Sequence, residues 1–270
     1  MRTTNRLFGG LMASGAIVLA AACNESRDTG AVTTEKEGGV STTPTAEAVE
    51  ERDNALVRVV NAMPGGATSI YAGDSLAFEG VAFRSVTEFR EMPDDYFGFK
   101  VVNAGARADD DALAENREKL GNGGHYTIIA LPDDDADQDD DGTLRVLDDD
   151  LKPITSGKAR VRFVHAISGL DDEISVFVRG NENALVDGVN FSREAGWNEE
   201  DPVRGTLEVR TEGRERPLVT IPNVNIEAGK SHTWIFAGTP SKVEVIHFTD
   251  DVALDPDRDD AMPDDRAKDQ

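Results

Sequence analysis

The sequence predicts an all-β protein: two tandem antiparallel β-sandwiches of the immunoglobulin or transthyretin-like kind. Three observations carry this. The chain repeats itself in a nearly constant register, its apolar segments are short and rich in Val, Ile, Thr and aromatics, and convincing helical periodicity is missing.

The repeat fixes the organisation. "VRVVNA" from Val57 returns as "VRFVHA" from Val161, and "GVAF" from Gly80 returns as "GVNF" from Gly188, an offset of 188 − 80 = 108. Phe89 and Trp197 follow six residues after Phe83 and Phe191, again 108 apart. "FKVVNAG", ending at Gly105, matches "LEVRTEG", ending at Gly213, and Thr127 of "GGHYTIIA" falls on Thr233 of "GKSHTWIFA". Segments such as "LVRVV", "ISVFV", "TLEVR", "YTIIAL" and "VEVIHF" read as strands bounded by Gly, Pro or Asp clusters. In "RVRFVH" alternation puts Val161, Phe163 and His165 on one face and Arg160, Arg162 and Val164 on the other. Only "DDALAENREKL" (Asp110 to Leu120) has the composition of a short helix. The expected division is 55–153 for the first sandwich and 154–254 for the second, each with its own core filled in part by Phe83, Phe89, Phe191 and Trp197.

The flanks have different chemistry. Arg2 and Arg6 precede an apolar run from Leu7 to Ala22 that ends "LAAAC". A basic start, a short apolar core and small residues before Cys23 make 1–23 resemble a bacterial lipoprotein signal, with Cys23 the lipid-modified residue. Ala20 stands where such signals usually have Leu, and an ordinary secretory signal is the alternative. Residues 24–54 have almost no large apolar side chains and read as a disordered tether, and 255–270 as a disordered acidic tail. Cys23 is the one cysteine, so no disulfide or Cys-ligated metal is available. The net charge of −24 argues against nucleic acid as a partner.

"ARVRFVHA", "GVNF" with an aromatic six residues beyond, and "EAGKSHTWIFAG" resemble the extracytoplasmic bacterial and archaeal repeats known as domain of unknown function 4397, in two copies. Those repeats typically read V-R-x-V-H-A-S-P. This chain has Asn61 for the His in the first copy and "ISG" for S-P in the second. The resemblance implies a lipid-anchored or secreted pair of β-sandwiches and brings no agreed activity.

Two motifs invite chemistry. "GDSL" at Gly73 resembles the nucleophile block of GDSL esterases. Ser75 would need a base His and an Asp to orient it, and none of His125, His165, His232 or His247 has an Asp three residues earlier. A Gly-Asp hairpin turn is the simpler reading. "DQDDDGTLRVLD" (Asp137 to Asp148) fits a calcium-loop template, but Leu144 to Leu147 reads as strand and carries Asp148 out of ligand range. What remains is an acidic hairpin tip with Asp133, Asp135, Asp137, Asp139 and Asp141. It is either a weak calcium site, of about 0.1 to 1 mM affinity, or a solvated tip.

The sequence therefore leads to a non-enzymatic, lipid-anchored envelope or surface protein with no cofactor beyond weakly bound calcium. Its expected place is outside the cytoplasm, at the outer membrane or cell surface, with an unknown protein or polysaccharide partner. The alternatives are a calcium-responsive adhesion or carbohydrate-binding module and, more remotely, a Ser75-dependent hydrolase. Replacing Cys23→Ser is expected to abolish incorporation of labelled fatty acid; equal labelling of the variant would refute the anchor.

Overall fold

The computed structural model describes residues 54–133, 142–212, 216–252 and 254–255, which contain strands and no helix. The first sandwich runs β1 (Asn54–Asn61), β2 (Thr68–Ala72), β3 (Ser75–Val81), β4 (Arg90–Pro93), β5 (Tyr96–Asn103), β6 (Ala114–Lys119), β7 (His125–Leu131) and β8 (Thr143–Asp148). After a short β9 (Ile154–Thr155) the second runs β10 (Ala159–Ile167), β11 (Ile174–Val178), β12 (Ala184–Val189), β13 (Asn198–Glu200), β14 (Val203–Thr211), β15 (Val219–Ile226), β16 (Lys230–Thr239) and β17 (Lys242–Asp251). β18 (Leu254–Asp255) pairs with β9.

The sheets correspond one for one. The inner sheets are ordered β4-β1-β7-β8 and β13-β10-β16-β17, and the outer sheets β3-β2-β5-β6 and β12-β11-β14-β15. Most pairings are antiparallel as expected, but each inner sheet contains one parallel pair, β1 with β7 and β10 with β16. The segment whose composition would allow a short helix is instead a turn followed by β6, with buried and exposed positions alternating along it. Good helix formers are overruled here because the segment completes the edge beside β5, where charged side chains suit a solvent-facing strand.

Alternation builds three cores rather than two. Val57 and Val59 of β1 point into the first sandwich with Ile70, Phe78, Phe99 and Val101, while Val161 and Phe163 of β10 point into the second with Val176, Val209 and Phe236. The opposite faces of the inner sheets do not meet water. Val60, Ala62, Ile129 and Leu131 pack with Val164, Ala166, Ile235, Ala237 and Ile246 in a third core shared by both sandwiches. This corrects the expectation of two independent cores. Phe83 packs half-buried at the shared core, and Phe89, Phe191 and Trp197 are likewise half-buried, so none of the four fills a sandwich interior.

A buried ionic cluster sits in the shared face. Arg162 is fully buried. The Asp149 carboxylate accepts from Arg58 Nη2 at 3.0 Å and Arg162 Nη2 at 2.6 Å. Arg58 also forks onto both oxygens of Asp250 at 2.8 and 2.7 Å. Its Nε donates to Thr127 Oγ1, whose hydroxyl in turn donates to Asp149 at 2.6 Å. Arg162 Nη2 likewise reaches Thr233 Oγ1. Each guanidinium lies over the aromatic ring of its own repeat, Arg58 at 4.5 Å from the Phe89 centroid and Arg162 at 4.1 Å from that of Trp197. Burial alone would lower the Arg58 pKa, but Asp149 and Asp250 outweigh it and the net shift is upward.

Asp149→Ala leaves two buried cations short of a partner and is expected to cost about 3–5 kcal/mol. Urea unfolding is the measurement. The wild type is expected to unfold in one transition and the variant in two as the sandwiches uncouple, and an unchanged midpoint would show that the cluster holds nothing together.

Candidate functional site

Ser75 opens β3 after a two-residue turn, Gly73-Asp74, in which Gly73 adopts φ +57°, a conformation that favours glycine. The serine is exposed and pairs across the hairpin with Ala72. It lies in the outer sheet of the first sandwich, and every histidine is on an inner-sheet strand with a partner there. His125 meets Phe89 edge-on at 5.5 Å. His232 Nε2 accepts the Glu227 N–H, and its Nδ1 lies 3.2 Å from His247 Nε2, with the His247 ring stacked on Trp234 at 3.7 Å. The structure therefore brings no imidazole to Ser75.

His165 and Asn61 occupy equivalent strand positions and do one job. Asn61 Oδ1 accepts the N–H of Met63, two residues on, and His165 Nδ1 accepts that of Ile167. The remaining side-chain N–H donates to the Val81 carbonyl from Asn61, and His165 Nε2 lies 3.3 Å from the Asp172 carbonyl. The departure from the repeat pattern at Asn61 thus preserves a backbone cap. Burial pushes the His165 pKa down to about 4. His232 is lowered by burial, and His247 by burial first and then by His232.

Of the acidic tip, Asp133 is half-buried at the end of β7, while Asp135, Asp137, Asp139 and Asp141 lie outside the described residues. Gly142 has a packing reason of its own: an added Cβ would sit 2.5 Å from the Leu131 carbonyl oxygen at the hairpin base. Asp148 ends β8. Burial and the neighbouring Asp149, Asp150 and Glu118 raise its pKa. Among the described residues no three His, Cys, Asp or Glu side chains converge as a metal site.

Sequence reasoning passed over the outer face of the second sandwich. Along β14, Leu207 and Val209 point into the core and Arg204, Thr206, Glu208 and Arg210 point outward. Glu208 accepts from Arg179 Nε and Arg210 Nη2, which together hold its carboxyl below the usual range, Arg210 contributing first. Arg210 also lies over the Phe177 ring at 4.7 Å. A register shift between Gly205 and Leu207, opposite Asn223 at φ +57°, opens a depression of about 480 Å³ beside Arg204. The available signal was the alternation R-x-T-x-E-x-R in "RGTLEVR", the seven residues from Arg204 to Arg210.

The family model described as "Domain of unknown function (DUF4397)" matches residues 55–171. That span supports the family. It holds β1 to β10, the whole first sandwich and the first strand of the second. No sequence among the curated proteins matches the chain. Solved structures similar in part include the C-terminal domain of AlgF from P. aeruginosa, at 16% identity and a TM-score of 0.28 over 34% of this chain and 98% of that one. A candidate cell adhesion protein from Bacteroides uniformis gives 12% identity and a TM-score of 0.24 over 75% and 98% of the two chains. A family 26 carbohydrate-binding module from Eubacterium rectale, solved with maltoheptaose, gives 13% and 0.22 over 71% and 95%.

The histidine geometry sets an acid response. His165 takes a proton near pH 6.5 when unfolded but only near pH 4 when folded, so the unfolded state binds more protons between those values. Stability is therefore complete above pH 6.5 and falls towards pH 4, by up to about 3 kcal/mol for this residue. Thermal melts across that range should show the fall, and His165→Asn should shrink it while keeping the backbone cap. An identical pH profile for the variant would contradict the assignment.

Proposed function

We propose that the chain is a non-enzymatic, lipid-anchored envelope or surface protein, attached through Cys23 outside the cytoplasm at the outer membrane or cell surface. Its two sandwiches act together as one binding or structural module. The observation that carries this reading is the use made of the buried charged groups. Arg58, Asp149, Arg162 and Asp250 tie one sandwich to the other instead of converging on a cavity. A module that presents a surface needs such rigidity, whereas acyl transfer needs a nucleophile beside a base, and Ser75 sits on a solvent-facing hairpin.

Co-sedimentation with cell envelopes stripped of the protein tests the proposal. Saturable binding that Ser75→Ala leaves unchanged is the expected result. Turnover of p-nitrophenyl esters that disappears in Ser75→Ala would overturn it in favour of a hydrolase.

A further inference from the structure

We propose that the outer face of the second sandwich, formed by β11, β12, β14 and β15, is a docking surface for a carboxylate-bearing polysaccharide, gripped by Arg179, Arg204 and Arg210. The inference rests on the binding-module reading and deepens it by naming the face and the ligand class.

Charge is the first argument. The chain carries −24 overall, yet this face carries three arginines, Arg179 and Arg210 on the buried Glu208 and Arg204 on Asn225, while its exposed carboxylate Asp187 lies on β12 and is bonded to Ser175. At physiological ionic strength the Debye length is about 8 Å, so a ligand on the face responds to these groups more than to the distant acidic surface. Among the described contacts Arg179 and Arg204 use only Nε, on Glu208 and Asn225. Both Nη groups of each remain for a ligand, and that planar fork matches a carboxylate.

Shape is the second. Arg204 and Arg210 stand six residues apart on one strand, about 20 Å at 3.3 Å per residue, with Arg179 beside Thr206 between them. A polymer laid along β14 meets cations at both ends and in the middle, which a small anion cannot do. Between the cations lie Thr206, Thr220, Asn223 and Asn225, hydroxyl and amide groups suited to sugar hydroxyls. The Phe177 ring is covered by Arg210, which closes that ring to stacking by nucleic-acid bases.

The first sandwich supplies an internal control. At the positions 108 earlier, Arg204 and Arg210 correspond to Tyr96 and Val102. That face is closed by the segment 104–113: Tyr71 Oη donates to the Ala106 carbonyl, Lys100 Nζ to those of Ala108 and Asp110, and Val102 is buried.

The test is affinity electrophoresis of the full chain in detergent through polygalacturonate, amylose or dextran sulfate, with flotation on vesicles of phosphatidylcholine and phosphatidylglycerol in equal parts. Retardation by polygalacturonate is expected, weakened about tenfold by Arg204→Gln, the effect of losing one charge-assisted pair. Arg204 touches no buried carboxylate, so that variant should melt like the wild type; Arg179→Gln should weaken binding further, and Lys119→Gln on the other outer sheet should not. Amylose binding as tight as polygalacturonate, tighter binding of dextran sulfate, binding to vesicles alone, or equal retardation of Arg204→Gln would each overturn the proposal. If envelope co-sedimentation persists without retardation by any polymer, the ligand class is wrong and the module reading stands; loss of both removes both.

Discussion

A carboxylate held between two buried guanidinium groups sets the geometry of the whole molecule. Asp149 leaves β8, ends the first sandwich, and is bonded at once to an arginine of each inner sheet. Charges removed from water are tolerated only when paired with good geometry, so the sheets can stack in the one register that satisfies Arg58, Arg162, Thr127, Asp149 and Asp250 together. An apolar interface of equal area would hold as well but would slide more freely. The flanking Val, Ala and Ile side chains supply the burial, and the ions supply the alignment.

The repeat makes that cluster nearly symmetric. Arg58 and Arg162, Thr127 and Thr233, and Asp149 and Asp250 are paired by strand register, and the aromatic caps Phe89 and Trp197 follow the same relation. Symmetry extends to strain. Arg84 and Ser192, 108 residues apart, both adopt left-handed backbone, and both cross to the other sandwich, Arg84 to Glu244 and Ser192 to Arg145. Left-handed non-glycine residues are costly and persist where surrounding contacts fix them. The face-to-face arrangement consumes the two inner sheets and leaves the outer ones to diverge, which is where the repeats differ most in chemistry.

Much of this was legible in the sequence, for physical reasons that differ from part to part. Period-two alternation around Val161 placed Phe163 and Arg162 on opposite faces correctly, because pleating alone dictates it. It could not say that the arginine face is buried, since arginine almost always meets water and one strand does not report what lies across from it. Helix formers at Ala114 to Lys119 misled because a sheet edge overrides propensity. Asn61 departs from the His of the repeat pattern and proves to be the same cap made with a different side chain. Gly142 looked like a calcium-loop glycine, and its place is explained by the nearness of the Leu131 carbonyl. The basic face was spelled plainly in "RGTLEVR" but needed the bulge at Gly205 and the closed face of the other sandwich to stand out.

The pairing of Arg58 with Asp250 spans 192 residues of sequence, and that separation has a consequence for how the chain reaches its native state. Closing so long a loop comes late, and topologies dominated by distant contacts fold slowly. β1 can find β7 early, but its second face, with Val60 and Ala62, has nothing to pack on until β10, β16 and β17 exist. The first sandwich must therefore wait with an apolar, arginine-studded sheet open to its surroundings. In that interval it is most exposed to aggregation and proteolysis. β17, which emerges only after β10 and β16, brings Asp250, and with it the kinetic end of the vulnerable period.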